Sequence, residues 1–266
     1  MEIIWTRTKT LVTVSLLLLV GAAWGVKHFY FPSVADKFFQ LDYQRLQTAP
    51  ANVLIFRRTI FTESRRAGVM AAPAQNQTGR YEANTMRLLG RNASFAEVMA
   101  LAYQCQDSRL VLPPGAPTNH FDLLVTKSSA YERLQKKIKS KLGYTARWQD
   151  RETDVLELRV RTPNAAGLRL ATGAQNSSGS EYKNGKLLFH HAPVRWIISL
   201  IENAVNHPIE DRTGLMGNYD FALAWNWRGR SADPEATALK QSLAELGLEL
   251  VPASASLQMM VVERAK

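Results

Sequence analysis

The residues best suited to chemistry are His190, His191 and His207, interspersed with Glu202, Glu210 and Asp211. Imidazole and carboxylate groups at this density could ligate a divalent cation or share acid–base work. The spacing argues against both. Neighbouring histidines on an extended chain point to opposite sides, and no H-E-x-x-H helix is present. G-x-S-x-G, S-x-x-K and a Walker loop are read as absent too, which leaves serine hydrolysis and nucleotide chemistry without support. Cys105 is the only cysteine, so neither an internal disulfide nor a cysteine metal cluster can form. It falls on the apolar stripe of an expected helix and reads as a buried structural thiol; a nucleophile would need a basic neighbour. No catalytic, cofactor-binding or metal-binding residue is assigned, and the expectation is a protein that is not an enzyme.

The same region holds a clearer structural pattern. In the stretch from Asp211 to Trp225, Tyr219, Phe221, Leu223 and Trp225 alternate with Asp220, Ala222 and Ala224, a period of two that puts the large side chains on one face of a sheet. Gly214 and Gly217 supply the positive φ that a tight entry to that strand needs. Asp211 is expected to close the turn by accepting backbone N–H bonds, Arg212 to pair with Asp211 or a nearby acid, and Asp220 to tie strand to loop. Trp196 and Trp225 are expected between helix and sheet; with Trp227 they form the alternative of a groove lining.

These residues need elements to hold them. Pro193 introduces a helical stripe of Val194, Ile197, Ile198, Ile201 and Val205, and Asp233-Pro234 starts another with Leu239, Leu243 and Leu246 inward. Leu246-Gly247-Leu248 ends it, and a hairpin pairs residues 248–251 with 257–262. A weaker copy of this order lies upstream. Gly79 matches Gly179, and a hairpin around Ala83-Asn84 leads into residues 86–89. Capping boxes Ser94 to Glu97 and Ser129 to Glu132 open two helices. Phe121, Leu123 and Val125 form the strand between them, Gly143 stops the second helix, and residues 144–148 and 155–160 form a hairpin about 150–153. The fold class is therefore α+β: two similar small α/β units, each hairpin-helix-strand-strand-helix-hairpin, after an N-terminal transmembrane helix. The boundaries expected are a tail at 1–10, an anchor or signal at 11–31, and a juxtamembrane helix or linker at 32–52. The first unit follows at 53–162, a linker at 163–178 and the second unit at 179–266.

Residues 11–26 carry no charge and follow Arg7 and Lys9, the layout of a signal or signal anchor. Sixteen residues at ~1.5 Å each span roughly 24 Å, short of the ~30 Å hydrocarbon core unless flanking residues snorkel. The aromatic cluster of Trp24, Phe29, Tyr30 and Phe31 favours a retained inner-membrane anchor with the body in the periplasm; the alternative is secretion after cleavage. Ser33 is expected to cap a stalk or membrane-surface helix running to Gln47. The formal charge of +10 is uneven, since residues 193–263 contain five Lys/Arg against nine Asp/Glu. Arg133, Lys136, Lys137, Lys139 and Lys141, on one expected helix, form the candidate interaction surface. Its bland reading is a solvated helix face. Nucleic acid ranks lowest among partners, because no basic motif is interleaved with stacking aromatics.

The stretch 211–225, followed by Leu246-Gly247-Leu248-Glu249-Leu250 and Val261-Val262-Glu263, resembles the C-terminal signature of the "Soli" conserved hypothetical exported proteins. Upstream, Ala102-Tyr103, Phe121-Asp122 and Arg151-Glu152-Thr153 fit the same family, whereas Ala116-Pro117 stands where its tryptophan is usual. The resemblance spans residues 53–265 and implies a domain of unknown function with no activity to carry over. Relatives that look like fusions to antibiotic-sensor metallopeptidases imply an extracytoplasmic sensing or docking module. Each unit is also similar in element order to the short N-terminal modules of secretins and TonB-dependent receptors. The reading is a non-enzymatic, membrane-anchored interaction or scaffold protein whose partner is an envelope protein or anionic envelope polymer. The alternatives are a sensor or binding module for a cell-wall fragment or small ligand and, more weakly, an envelope hydrolase.

Overall fold

Two alternating runs, Phe121–Val125 and Asn218–Leu223, become inner strands of two four-stranded antiparallel sheets. The computed structural model describes residues 39–61, 67–75, 80–172, 178–184, 186–224 and 237–265. In chain order these begin with α1 (Tyr43–Gln47), β1 (Leu54–Arg58), β2 (Gly68–Gln75), β3 (Tyr81–Ala93), α2 (Phe95–Tyr103) and β4 (Leu110–Val111). Next come β5 (Phe121–Val125), α3 (Ala130–Leu142), β6 (Tyr144–Val160), β7 (Leu168–Leu170), β8 (Gly179–Lys183) and β9 (Lys186–Pro193). The chain closes with α4 (Val194–Val205), β10 (Ile209–Asp211), β11 (Asn218–Leu223), α5 (Thr237–Glu245) and β12 (Leu248–Arg264). The mixed α/β class expected from the sequence is what forms. The expected anchor, residues 11–31, lies outside the described residues, and no described helix is long and apolar enough to cross a membrane.

The two copies seen in the sequence share one strand permutation. The first sheet runs β1-β5-β3-β2 and the second β7-β11-β9-β8. In each, a hairpin leads to a helix, then to an inner strand antiparallel to the second hairpin strand, then to a second helix. A third sheet, ordered β10-β6-β12-β4, pairs β10 parallel to β6 and β4 parallel to β12.

The chain forms two compact units that do not part at residues 163–178. One contains the described residues up to Tyr103, Pro114–Thr145 and Arg264 onward; the other contains Gln104–Pro113 and Ala146–Glu263. In the first, α2 and α3 pack on the β2-β3-β5 face. The opposite face buries Phe39, Leu46 and Phe61 against Ala72, Leu89 and Leu124. Buried Arg91 donates to the Phe39 carbonyl at 3.2 Å and lies 3.7 Å from the Phe61 ring centroid, and buried Arg87 donates to the Ala49 carbonyl. The described part of the segment expected to be a stalk, from Phe39 on, is thus docked on the sheet, and its helix is α1, capped by Asp42 through the Arg45 N–H at 3.0 Å. Ser33 lies outside the described residues. With both faces covered, all five residues of β5 are buried.

In the second unit one face is covered. Ile197 and Ile201 of α4, Leu239 and Leu243 of α5, and Leu187, Phe189, Phe221 and Leu223 of the sheet share a core. Burial of each such side chain contributes about 1.5–3 kcal/mol. On β11, Tyr219, Phe221 and Leu223 are buried while Asp220 is exposed, as the period of two requires.

Several local expectations are corrected. Ala83 and Asn84 lie within β3, and the β2–β3 pairing reaches Gln75 opposite Tyr81. Residues 144–160 and 248–264 are each one long strand. Their polar middles do not turn because they pair across to each other, Gln258 donating to Asp150 at 2.6 Å and Ser254 to Glu152 at 3.2 Å. Within the expected linker, β7 pairs with β11; three residues are too few to show a period. Ser94 forms its capping box, donating N–H and hydroxyl to Glu97 at 2.8 and 2.9 Å and accepting the Glu97 N–H at 3.2 Å. Ser129 does not: its φ is 53° and its hydroxyl caps nothing.

Candidate interaction surfaces

The bend before β11 is wired by short-range bonds. Asp211 accepts the Thr213 N–H at 2.9 Å and hydroxyl at 2.7 Å, Thr213 accepts the Leu215 N–H at 3.1 Å, and the Tyr219 hydroxyl donates to the Met216 carbonyl at 3.1 Å. Gly214 at φ +65° and Gly217 at φ +105° supply the expected left-handed conformations. Arg212 turns away from Asp211 and pairs with Glu210 at 2.8 Å and Glu157 at 3.8 Å, beside Arg159. The outcome is a stiff turn that leaves Met216 86% exposed. Trp225 and Trp227 lie outside the described residues.

Asp220 ties strand to strand instead of strand to loop: it accepts the N–H of His191, within β9, at 2.8 Å, and His191 has φ 51°. The first unit repeats the device. Asp122 accepts the N–H of Asn92, at φ 45°, over 3.1 Å, and each sheet shifts register at that point. Both are bulges in which one strand's carboxylate holds the extra residue of its neighbour. Fully buried Asp122 also accepts the Thr59 hydroxyl at 2.8 Å and the Ile60 N–H at 3.2 Å, with Arg57 Nε at 3.4 Å.

The histidines do not converge. His190 faces Glu181 at 3.7 Å on the surface, the His191 backbone serves the bulge, and Glu202 is engaged elsewhere. Among the described residues, no group of three His, Cys, Asp or Glu could hold a metal ion. Glu202 Oε1 accepts Arg109 Nε at 3.0 Å and Nη2 at 2.6 Å and the Ile209 N–H at 2.9 Å; Arg109 Nη2 also reaches the Ile209 carbonyl at 3.2 Å. This half-buried pair joins residues 93 positions apart, so no local pattern announced it. Burial, with Asp107 adding to it, pushes the Cys105 thiol up to about 11, which keeps it protonated at neutral pH. The S-x-x-K spacing expected to be absent does occur, at Ser180 and Lys183; on β8, residues three apart point to opposite faces, so they make no nucleophile–base pair.

The basic helix forms as expected, with Leu134 and Ile138 buried and Gly143 at its end, φ +73°, donating to the Lys139 carbonyl at 3.0 Å. Its cations divide into two groups. Lys141 donates to the Phe56 carbonyl at 3.1 Å and Arg133 to the Ser128 carbonyl at 2.8 Å. Lys136 and Lys139 are exposed and Lys137 half-buried, and the three have no hydrogen bond or ion pair among the described residues. A second surface lies in the other unit, where a groove of about 380 Å³ opens beside α4, lined by Ser180, Leu187, Phe189, Trp196, Ser199 and Leu200. Trp196 meets Phe189 edge-on at 6.2 Å; it packs on the sheet and lines the groove at once.

Comparison with curated proteins and with solved structures finds no match. A family model described as a protein of unknown function (DUF3738) matches residues 96–265. That span covers more than half of the chain and includes α3, the wired bend, both bulge aspartates and the groove. The chain therefore belongs to the DUF3738 family of proteins of unknown function.

Proposed function

We propose that this DUF3738 protein is a non-enzymatic, membrane-tethered interaction protein of the bacterial envelope, with its body in the periplasm, that docks an anionic protein or polymer on α3. The observation that carries the reading is the row Lys136, Lys137 and Lys139, held on a helix fixed by its buried side and free of ion pairs among the described residues. Such cations attract an anionic partner at a modest desolvation cost. The uncharged run of residues 11–26 behind Arg7 and Lys9 supports the tether, and the resemblance to exported "Soli" proteins supports the address.

The test reverses the three lysines together, Lys136→Glu, Lys137→Glu and Lys139→Glu, leaving Lys141 in place because it braces β1. Crosslinking in native envelopes, and retention on immobilised polyglutamate across a salt series, are compared with the parent chain. The variant is expected to lose its crosslinked partners and to show a flatter salt dependence with unchanged urea stability. Unaltered partners and an unaltered salt slope would remove the proposal.

A further inference from the structure

We propose that β8 and the groove beside it receive an extended polypeptide segment of a partner protein, added as a further strand with one large apolar side chain lodged against α4. β8 is the end strand of its sheet. It pairs with β9 over Gly179–Lys183, and among the described residues no strand pairs with its other side. A strand edge of this kind presents N–H and C=O groups that an added strand can use and that a helix or a small molecule uses poorly.

The register places the groove under such a strand. Ser180 stands opposite Phe189 and Tyr182 opposite Leu187, so Ser180 shares a face with the two β9 residues that floor the groove. From the other side come Trp196, Ser199 and Leu200 of α4. A small side chain at Ser180 leaves room, and alternate residues of a strand laid along β8 would point into that room. The lining carries two hydroxyls and no charge, which selects an uncharged, apolar side chain.

The two end strands differ in cover. β2 runs for eight residues, meets α2 on one face and buries Ala72 on the other against Phe39, Leu46 and Phe61. β8 runs for five and buries none of its residues. Among the described residues the edge beside α4 is therefore bare, and an extended chain is what such an edge can bind.

The experiment uses the full-length ¹⁵N-labelled chain and synthetic heptapeptides of alternating Thr and Val with Phe, Trp, Leu or Lys at the centre. Apolar-centred peptides are expected to shift the Trp196 indole and the amides of residues 179–183, and the Lys-centred peptide to bind at least tenfold more weakly. N-methylation of alternate peptide amides, or Ser180→Phe in the protein, is expected to weaken binding tenfold or more; Leu200→Trp serves the same end should S180F not fold. The triple lysine reversal should leave this binding unchanged, so the two surfaces fail or stand separately. The proposal is overturned by the absence of shifts with every peptide at millimolar concentration. It is overturned equally if free indole moves Trp196 while the peptides leave the β8 amides unmoved, which makes the groove a small-molecule site. Concentration-dependent self-association that S180F abolishes would overturn it in favour of a second copy.

Discussion

Cys105 is kept as a neutral thiol by where it sits. Its pKa is raised from 9.0 to about 11, first by burial and then by Asp107. The folded chain therefore holds this proton where the unfolded chain releases it. The stability it contributes is complete below pH 9 and is lost as pH rises towards 11. Iodoacetamide should accordingly label the native chain more slowly than the urea-unfolded chain near neutral pH, with the native rate climbing towards pH 11. Rapid native labelling at neutral pH, read by mass spectrometry, would contradict this. Single residues were legible where their partners are near in sequence. The Asp211 turn closes within two residues, and Ser94–Glu97 within three. Asp220 was flagged, yet its partner, the N–H of His191, lies 29 residues away on another strand. Nothing local marks His191 as a positive-φ residue, and the pair became visible only when the sheet was assembled.

At the scale of elements, the two glycines that end α3 and α5 separate conformational need from steric need. Gly143 and Gly247 have nearly the same φ, +73° and +72°. A Cβ at Gly143 would meet nothing within 4 Å, whereas one at Gly247 would lie 2.4 Å from the Thr162 carbonyl oxygen and 2.6 Å from the Ala165 Cβ. Gly143→Ala should then cost about 1–2 kcal/mol for the left-handed conformation alone, and Gly247→Ala about 1–3 kcal/mol beyond that. Urea unfolding of the two variants provides the comparison, and equal losses would show that the Thr162 contact yields freely. Both helix ends were readable because glycine after an apolar stripe is a strong local signal. The hairpins expected at residues 150–153 and within 248–262 were misread for the opposite reason. A polar stretch inside a strand pattern looks the same whether the chain turns there or runs on exposed beside a distant strand.

Across the whole molecule, the repeat was legible as an order of elements up to its closing hairpin, which is one long strand in both copies, and the two sheets share one strand permutation. The allotment of residues to compact units was not, because Gln104–Pro113 is held by contacts remote in sequence. Arg109 and Glu202 are the pin. Glu202→Ala would leave half-buried Arg109 and the Ile209 N–H without their shared carboxylate, and a loss of about 1.5–3 kcal/mol in urea unfolding is expected. Glu202→Gln, which keeps an acceptor but no charge, should lose less. A loss well under 1 kcal/mol in the alanine variant would show that the segment is secured by other means.

The sheet β10-β6-β12-β4 draws two strands from each sequence copy, and each copy's short strand lies against the other copy's long one. A half-length ancestor with the same habit would have had to place its short strand on a sister molecule, so its folding would have depended on how many sisters were nearby. Joining two such genes end to end makes that encounter intramolecular and independent of abundance. Each short strand is then answerable to a surface encoded elsewhere in the same gene, 53 codons before it for β10 (209 − 156) and 150 codons after it for β4 (260 − 110).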